Sequence, residues 1–208
     1  MIYIFGAGRQ GRIVYSILST QARKNVVCYF IDDFKKGKCF GKTIKKSSKV
    51  TLSKNDRKVL ALGNDLYTKY KKKVSIANRL ESLPGTFIPL IGGFISWDVK
   101  IPNTLITHPG STIMTGTKIG KFVIVSTNAS IDHDNVIGDF VTIAPGVTTG
   151  GDVIIGEGSF IGMGAIILPG VKIGARCIIG AASLVRHDIP SGTLAYGVPA
   201  KTIKKAQK

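Results

Sequence analysis

From Ile95 to Pro190 the chain repeats every six residues, in one unbroken frame of sixteen units. The first place of each unit, at 95, 101, 107, 113, 119, 125, 131, 137, 143, 149, 155, 161, 167, 173, 179 and 185, holds Ile or Val in fourteen cases, the exceptions being Thr107 and Thr149. Gly stands second at 120, 138, 156, 162, 174 and 180, and the fifth place is mostly aliphatic or small, as at Val99, Leu105, Val123, Ala129, Val141, Val147, Val153 and Ala165. One hexapeptide is one short strand with its turn, and three units close a triangular coil of about 18 residues. The repeated Ile then stacks on itself inside a parallel β-helix. With coils about 4.8 Å apart, the five and a third coils predict a prism roughly 25 Å tall. Burying the apolar column at roughly 1.5–3 kcal/mol per side chain opposes the chain entropy. The Gly after each Ile reads as easing a tight corner. Ile137 and Ile161 are expected inside the prism. The period leaves the hand of the coil open, parallel crossovers being usually right-handed.

The repeat claims the second half of a 208-residue chain, so residues 1–94 form something else, and 191–208 follow as a tail. Cys28, Cys39 and Cys177 are too few and too irregularly spaced for a disulfide framework or a zinc site, and Cys177, at a fifth place, reads as a buried thiol. No apolar run reaches the roughly 18 residues of a membrane span. The opening Met1 to Phe5 reads as a strand rather than a signal peptide, so a cytoplasmic protein is expected. The net charge of +17 is concentrated in residues 1–94, which hold nineteen Lys or Arg against five acids. Those cations are mostly scattered Lys without interleaved aromatics or a DNA-binding signature, which predicts a solvated basic surface and no nucleic-acid partner. Such a field still attracts a nucleotide diphosphate.

Strand, glycine turn, helix, strand and acid follow one another at the start. Ile2 to Phe5 runs into Gly6, Ala7, Gly8, Arg9, Gln10 and Gly11, an amphipathic stretch covers 12–20, and a strand from Val26 to Ile31 ends at Asp32 and Asp33. This is a G-x-G-x-x-G fingerprint in its required context, with anion binding expected at the helix N-terminus. A third strand over 58–62 leads to Gly63 and Asn64, and a helix over 65–74 follows. Ninety-four residues hold one βαβαβ half, enough for a mononucleotide and short of the two halves a dinucleotide uses, which argues against an NAD dehydrogenase. A nucleotide-linked ligand is the favoured reading, with a purely structural glycine turn as its alternative.

The ordered set Gly6-Ala7-Gly8, Asp32-Asp33, Gly63-Asn64, His133-Asp134, Gly150-Gly151 and Gly197 to Lys201 resembles bacterial nucleotide-activated aminosugar N-acetyltransferases, such as the bacillosamine-pathway enzyme, and the related sialic-acid O-acetyltransferases. The resemblance covers nearly the whole chain. It implies an α/β half-Rossmann domain (1–94) followed by a left-handed parallel β-helix of hexapeptide repeats (95–190) and a coenzyme A-contacting loop and tail (191–208). It implies a homotrimer with acetyl-CoA between neighbouring prisms, active sites shared between subunits, and no metal.

Acetyl transfer from a thioester to an amine needs a base for the amine proton and a donor for the oxyanion. His133 fits the base, its ordinary pKa lying near 6.5. The resemblance gives Asp134 the task of orienting it, with Asp132 as rival. His108 and His187 have no such support. Counting by 18 sets Gly151 one coil above His133, and the resemblance assigns its amide to the thioester oxygen. It likewise assigns Thr142, Met163, Ala181 and Lys201 to acetyl-CoA, with corner packing the alternative for Met163 and Ala181 and a plain surface cation for Lys201. It gives Gly8, Arg9, Gln10, Asp32, Asp33, Gly63 and Asn64 to the nucleotide sugar. Two departures stand out: Gln10 and Thr142 occupy places where the family often has His, and Thr142 keeps a hydrogen bond but cannot carry a proton charge. The expected activity is acetyl-CoA-dependent N-acetylation of a UDP-linked 4-amino-deoxysugar. The alternatives are O-acetylation of a sialic-acid-type sugar and an inactive nucleotide-sugar-binding scaffold.

Overall fold

The structure, a computed structural model, describes residues 1–22, 28–33, 35–61 and 70–205. The chain divides into two compact units, one of Met1–Asp65 with Lys71–Leu90 and one of Leu66–Tyr70 with Ile91–Lys208.

In the first unit, β1 (Ile2–Phe5) is the centre of a six-stranded sheet. Helix α1 (Arg9–Ala22) crosses from it to the parallel strand β2 (Cys28–Ile31). The hairpin of β3 (Lys38–Cys39) and β4 (Lys42–Lys45) extends that edge. On the other side lies β5 (Arg57–Leu60), followed by α2 (Tyr70–Glu81) and β6 (Thr86–Phe87). This is the expected α/β half. Helix α1 begins three residues before the amphipathic stretch, because the Gly8 carbonyl accepts from the Arg12 amide at 3.2 Å. Val26 and Leu62, read as strand, and residues 65–69, read as helix, fall outside the described residues. Within the third strand sits a charge the apolar reading passed over. Lys58 is 1% exposed and its Nζ donates to the Leu80 and Leu83 carbonyls at 2.7 and 2.9 Å, satisfying the C-terminal end of α2. Burial pushes its pKa down.

The second unit is a left-handed parallel β-helix. Its first face stacks two-residue strands from Phe94–Ile95 to Leu184–Val185, and its second stacks Lys118–Ile119 to Lys172–Ile173. Its third runs from Leu90–Ile91 to Ile178–Ile179 and is extended by a hairpin of Thr193–Gly197 and Ala200–Lys205. Register between coils is 18 residues through the body of the prism, as in Ile113 on Ile131 and Ile143 on Ile161, and shortens to 16 at the last turn, where Ile178 pairs with Leu194 and Ile173 with Ile189. The inward column packs as expected, with Ile137 at 2% and Ile161 at 0% exposure, and Cys177 is fully buried. Burial pushes the Cys177 thiol pKa up.

Three differences from the sequence reading have local causes. Pairing begins at Leu90, with a strand only four residues ahead of Phe94–Ile95 and so outside the six-residue frame, and there the Thr107 hydroxyl accepts from the Gly92 and Gly93 amides at 3.0 and 3.3 Å. Ile101, expected inside, is 43% exposed, since no strand forms at 100–101 and the second face starts only at Lys118. The corner torsion lies elsewhere than the sequence suggested. It is the fourth place of each unit, from Gly110 and Gly116 through Asn128, Asp134 and Asp152 to Ala182, that adopts positive φ. The second-place glycines have ordinary torsions and are needed for space: a Cβ on Gly138 would lie 2.7 Å from the Glu157 amide nitrogen of the next coil.

Candidate active site at a corner of the prism

The corner between the first and second faces carries residues 132–134 after the strand Ser130–Ile131. Asp134 is held with φ 56°, and its amide donates to the Thr115 carbonyl of the coil below at 2.9 Å. That torsion brings its carboxylate to the ring of its neighbour, with His133 Nδ1 and Asp134 Oδ2 2.9 Å apart. Asp132 turns the other way and accepts from the His133 main-chain amide at 2.8 Å. Of the two acids, Asp134 is the one in contact with the ring. Both members of the pair are open to solvent, with side-chain exposures of 50% and 57%. The hydrogen bond to Asp134 pushes the His133 pKa up; desolvation opposes this, and the charges of Asp132, Asp134 and Asp152 add to it. With Nδ1–H donated to the carboxylate, the neutral ring keeps a lone pair on Nε2.

Gly151 lies directly against that ring. A Cβ there would collide with Cε1 and Nε2 of His133, so a larger residue would push the half-exposed imidazole out of this position. Among the described residues, nothing accepts from the Gly151 amide, and the same holds for Ala181.

Beneath the corner is a polar cluster that the sequence reading missed. Asn135 is fully buried, and its Nδ2 reaches the carbonyls of Asp132, Gly150 and His133 at 2.6, 3.0 and 3.3 Å and the Thr149 hydroxyl at 3.3 Å. Thr149 Oγ1 also accepts from the Asp132 amide at 3.1 Å, and the Thr117 hydroxyl donates to the Asp132 carbonyl at 2.9 Å. The sequence did carry a signal, since Thr149 breaks the Ile/Val column and Asn135 breaks the apolar fifth place.

The remaining positions in the β-helix lie elsewhere on the prism. Met163, 60% exposed, and Ala181 stack one coil apart at the corner between the third and first faces, where the Ala182 amide donates to the Met163 carbonyl at 2.8 Å. Thr142 is 3% exposed on the third face between Ile124 and Phe160. Lys201 is exposed and pairs with Tyr196 in the terminal hairpin. One chain therefore unites His133, Asp134 and Gly151 but sets Met163 and Ala181 on a different edge.

In the first unit the glycine turn is built around Asp32. Its Oδ2 accepts from the Ala7 amide at 2.9 Å and its Oδ1 from the Lys35 amide at 3.0 Å. Gly6 has φ 115°, and Gly11 sits inside α1 because a Cβ there would strike the Gly6 carbonyl. Gly8 keeps the turn open, a Cβ there lying 3.7 Å from Lys35 Nζ. Arg9 is exposed, and Gln10 is 8% exposed. Asp33 is engaged otherwise, by the Ser47 amide and hydroxyl at 2.8 Å each and by Arg79 at 3.1 Å. Partial burial raises its pKa, but Ser47 and Arg79 together bring it below the ordinary value. Gly63 and Asn64 lie outside the described residues.

Residues 152–187 match the family described as bacterial transferase hexapeptide (six repeats). The acetyltransferase domain of PglB from Neisseria gonorrhoeae FA1090 superposes with a TM-score of 0.88 at 26% identity, covering 97% of this chain and 98% of that one. The same domain has also been solved in complex with acetyl coenzyme A, at 25% identity and a TM-score of 0.75 over 97% of this chain and 98% of that chain. A mutant of perosamine N-acetyltransferase from Caulobacter crescentus, solved with CoA and GDP-perosamine, gives 0.83 at 25% identity over 98% of this chain and 97% of that chain. No curated protein matches the sequence. The repeat and the fold are similar to those of hexapeptide-repeat acyltransferases. The two-part architecture is similar, over nearly the whole chain, to that of aminosugar acetyltransferases, the resemblance that the sequence motifs implied.

Proposed function

We propose that this protein is an acetyl-CoA-dependent N-acetyltransferase acting on the amine of a nucleotide-linked 4-amino-deoxysugar, UDP-linked by preference. The observation that carries this is the His133–Asp134 pair at 2.9 Å with the imidazole laid over Gly151. An imidazole with Nδ1 bound to a carboxylate takes a proton at Nε2, and a glycine amide beside it can receive negative charge on an acyl oxygen. As the sugar nitrogen attacks the thioester carbonyl, His133 Nε2 takes the amine proton and the Gly151 amide donates to the oxyanion. Collapse then breaks the C–S bond, the C–N bond remains, and the proton passes to the departing thiolate.

The Asp32-centred turn, with Gly8, Arg9 and Gln10 at the start of α1, holds the nucleotide diphosphate in this reading. Asp33, tied to Ser47 and Arg79, shapes that pocket, and Gly63 with Asn64 belongs to it. Thr142, Met163, Ala181 and Lys201 take acetyl-CoA. Their separation from His133 on the prism supports a homotrimer with active sites between subunits, in which a neighbour supplies the corner of Met163 and Ala181. The cytoplasm, where acetyl-CoA and nucleotide sugars are found, is the compartment this chemistry requires.

The test is thiol release from acetyl-CoA across UDP-, GDP- and dTDP-linked 4-amino sugars, with a free sialic acid as control and mass spectrometry to locate the acetyl group. Release with an aminosugar and an acetylated nitrogen is expected. Release with the sialic acid alone, or with none of them, overturns the proposal.

A further inference from the structure

We infer that Asn135 is a positioning residue that aims the Gly151 amide at the reacting acyl oxygen; the inference rests on the role of Gly151 proposed above. Asn135 occupies an inward fifth place where the next coil has Val153, and it is 0% exposed. Its Nδ2 donates to the Gly150 carbonyl at 3.0 Å, which draws that oxygen toward the prism axis. In a trans peptide the N–H points opposite to the C=O. The N–H of Gly151 is therefore turned outward, to the side where the His133 ring lies against it. The other N–H of the same Nδ2 is taken by the Asp132 carbonyl on the coil below at 2.6 Å, with the His133 carbonyl 3.3 Å from the nitrogen. One buried amide thus ties the base and the oxyanion donor, which lie on successive coils, into a single rigid corner.

A stability role alone does not account for this residue. Its Oδ1 is buried without a hydrogen-bond partner among the described residues, a cost that a valine would avoid. The amide orientation is itself dictated by the surroundings, since Nδ2 meets three carbonyls and a hydroxyl, all acceptors. Thr149, the second Thr in the Ile/Val column, completes the clamp by accepting from the Asp132 amide at 3.1 Å, with its hydroxyl oxygen 3.3 Å from Nδ2.

Two substitutions follow the apolar frame of the prism, Asn135→Val and Thr149→Val. Asn135→Thr copies Thr117, which stands one coil below, and keeps a hydroxyl donor. Steady-state kinetics with acetyl-CoA and the best aminosugar, alongside thermal melting, form the test. Misdirecting an oxyanion donor costs on the order of 10²–10³ in kcat, so Asn135→Val should lose at least about 100-fold. KM for both substrates should move less than about threefold, and the acid limb of the pH–rate profile should stay where it is, because the His133–Asp134 pair remains intact. Thr149→Val should lose about tenfold while melting at or above the parent temperature. Asn135→Thr should recover at least about tenfold over Asn135→Val.

Parental kcat in folded Asn135→Val, or in both Asn135→Thr and Thr149→Val should the first variant not fold, overturns the inference. A shifted acid limb does so too, since it would trace the loss to His133 instead. His133→Ala separates the two levels. If it is inactive while Asn135→Val turns over normally, only the positioning role fails; if His133→Ala turns over normally, the underlying reading fails as well.

Discussion

At the scale of single residues, the active corner separates two adjacent acids by one torsion. Asp134 sits at a fourth-place corner with φ 56° and meets the imidazole, whereas Asp132 caps the backbone of the same turn. His133 must be neutral to accept a proton, so activity rises as pH climbs through its pKa. Since the Asp134 hydrogen bond pushes that pKa up, Asp134→Asn should shift the acid limb of the pH–kcat profile to lower pH while reducing the plateau. His133→Ala should cost at least about 100-fold in kcat at neutral pH, with coenzyme binding and folding near normal. The defect should shrink at high pH, where the amine loses its proton to water. Parental turnover of His133→Ala at neutral pH would refute the base assignment, and an unmoved limb in Asp134→Asn would remove Asp134 from it.

At the scale of the repeating element, two glycine places do different work. Second-place glycines such as Gly138 yield space to the backbone of the next coil, and fourth-place residues supply a left-handed torsion. Gly138→Ala should destabilise the fold by about 1–3 kcal/mol, because the obstacle is main chain and cannot swing aside. Gly164, with φ 66° and nothing within 4 Å of a would-be Cβ, should accept Asn within about 0.5 kcal/mol, as Asn128 already holds the equivalent torsion. Chemical denaturation of the two variants checks the contrast, and equal stability of both would refute the assignment of roles. The sequence showed which glycines recur, but not why. A period of six fixes position in the coil, whereas the torsion at each position depends on how the corner closes.

At the scale of the whole molecule, the proposed division of nucleotide and coenzyme binding between the two units makes a separable prediction. Asp32 binds the Ala7 and Lys35 amides within the first unit, so Asp32→Ala should loosen the glycine turn and weaken nucleotide-sugar binding about tenfold, a loss of about 1.4 kcal/mol. Acetyl-CoA binding, assigned to the prism, should be retained in the same titration calorimetry; parental affinity for both ligands would put the nucleotide elsewhere. The sequence by itself determined the β-helix, its 18-residue register and the stacking of Gly151 over His133. Those follow from translation along one axis, which a period records directly. It also carried the glycine turn of residues 6–11, because a turn between strand and helix is a local structure. Tertiary structure alone decided the rest. Asp33 meets Arg79 across 46 residues of sequence, and Lys58 finds the end of α2. Ile101 is left exposed where a face has not yet begun, and Asn135 gathers carbonyls from two coils. Each of these depends on which way a side chain points and on what a distant segment brings to it, and no periodicity encodes either.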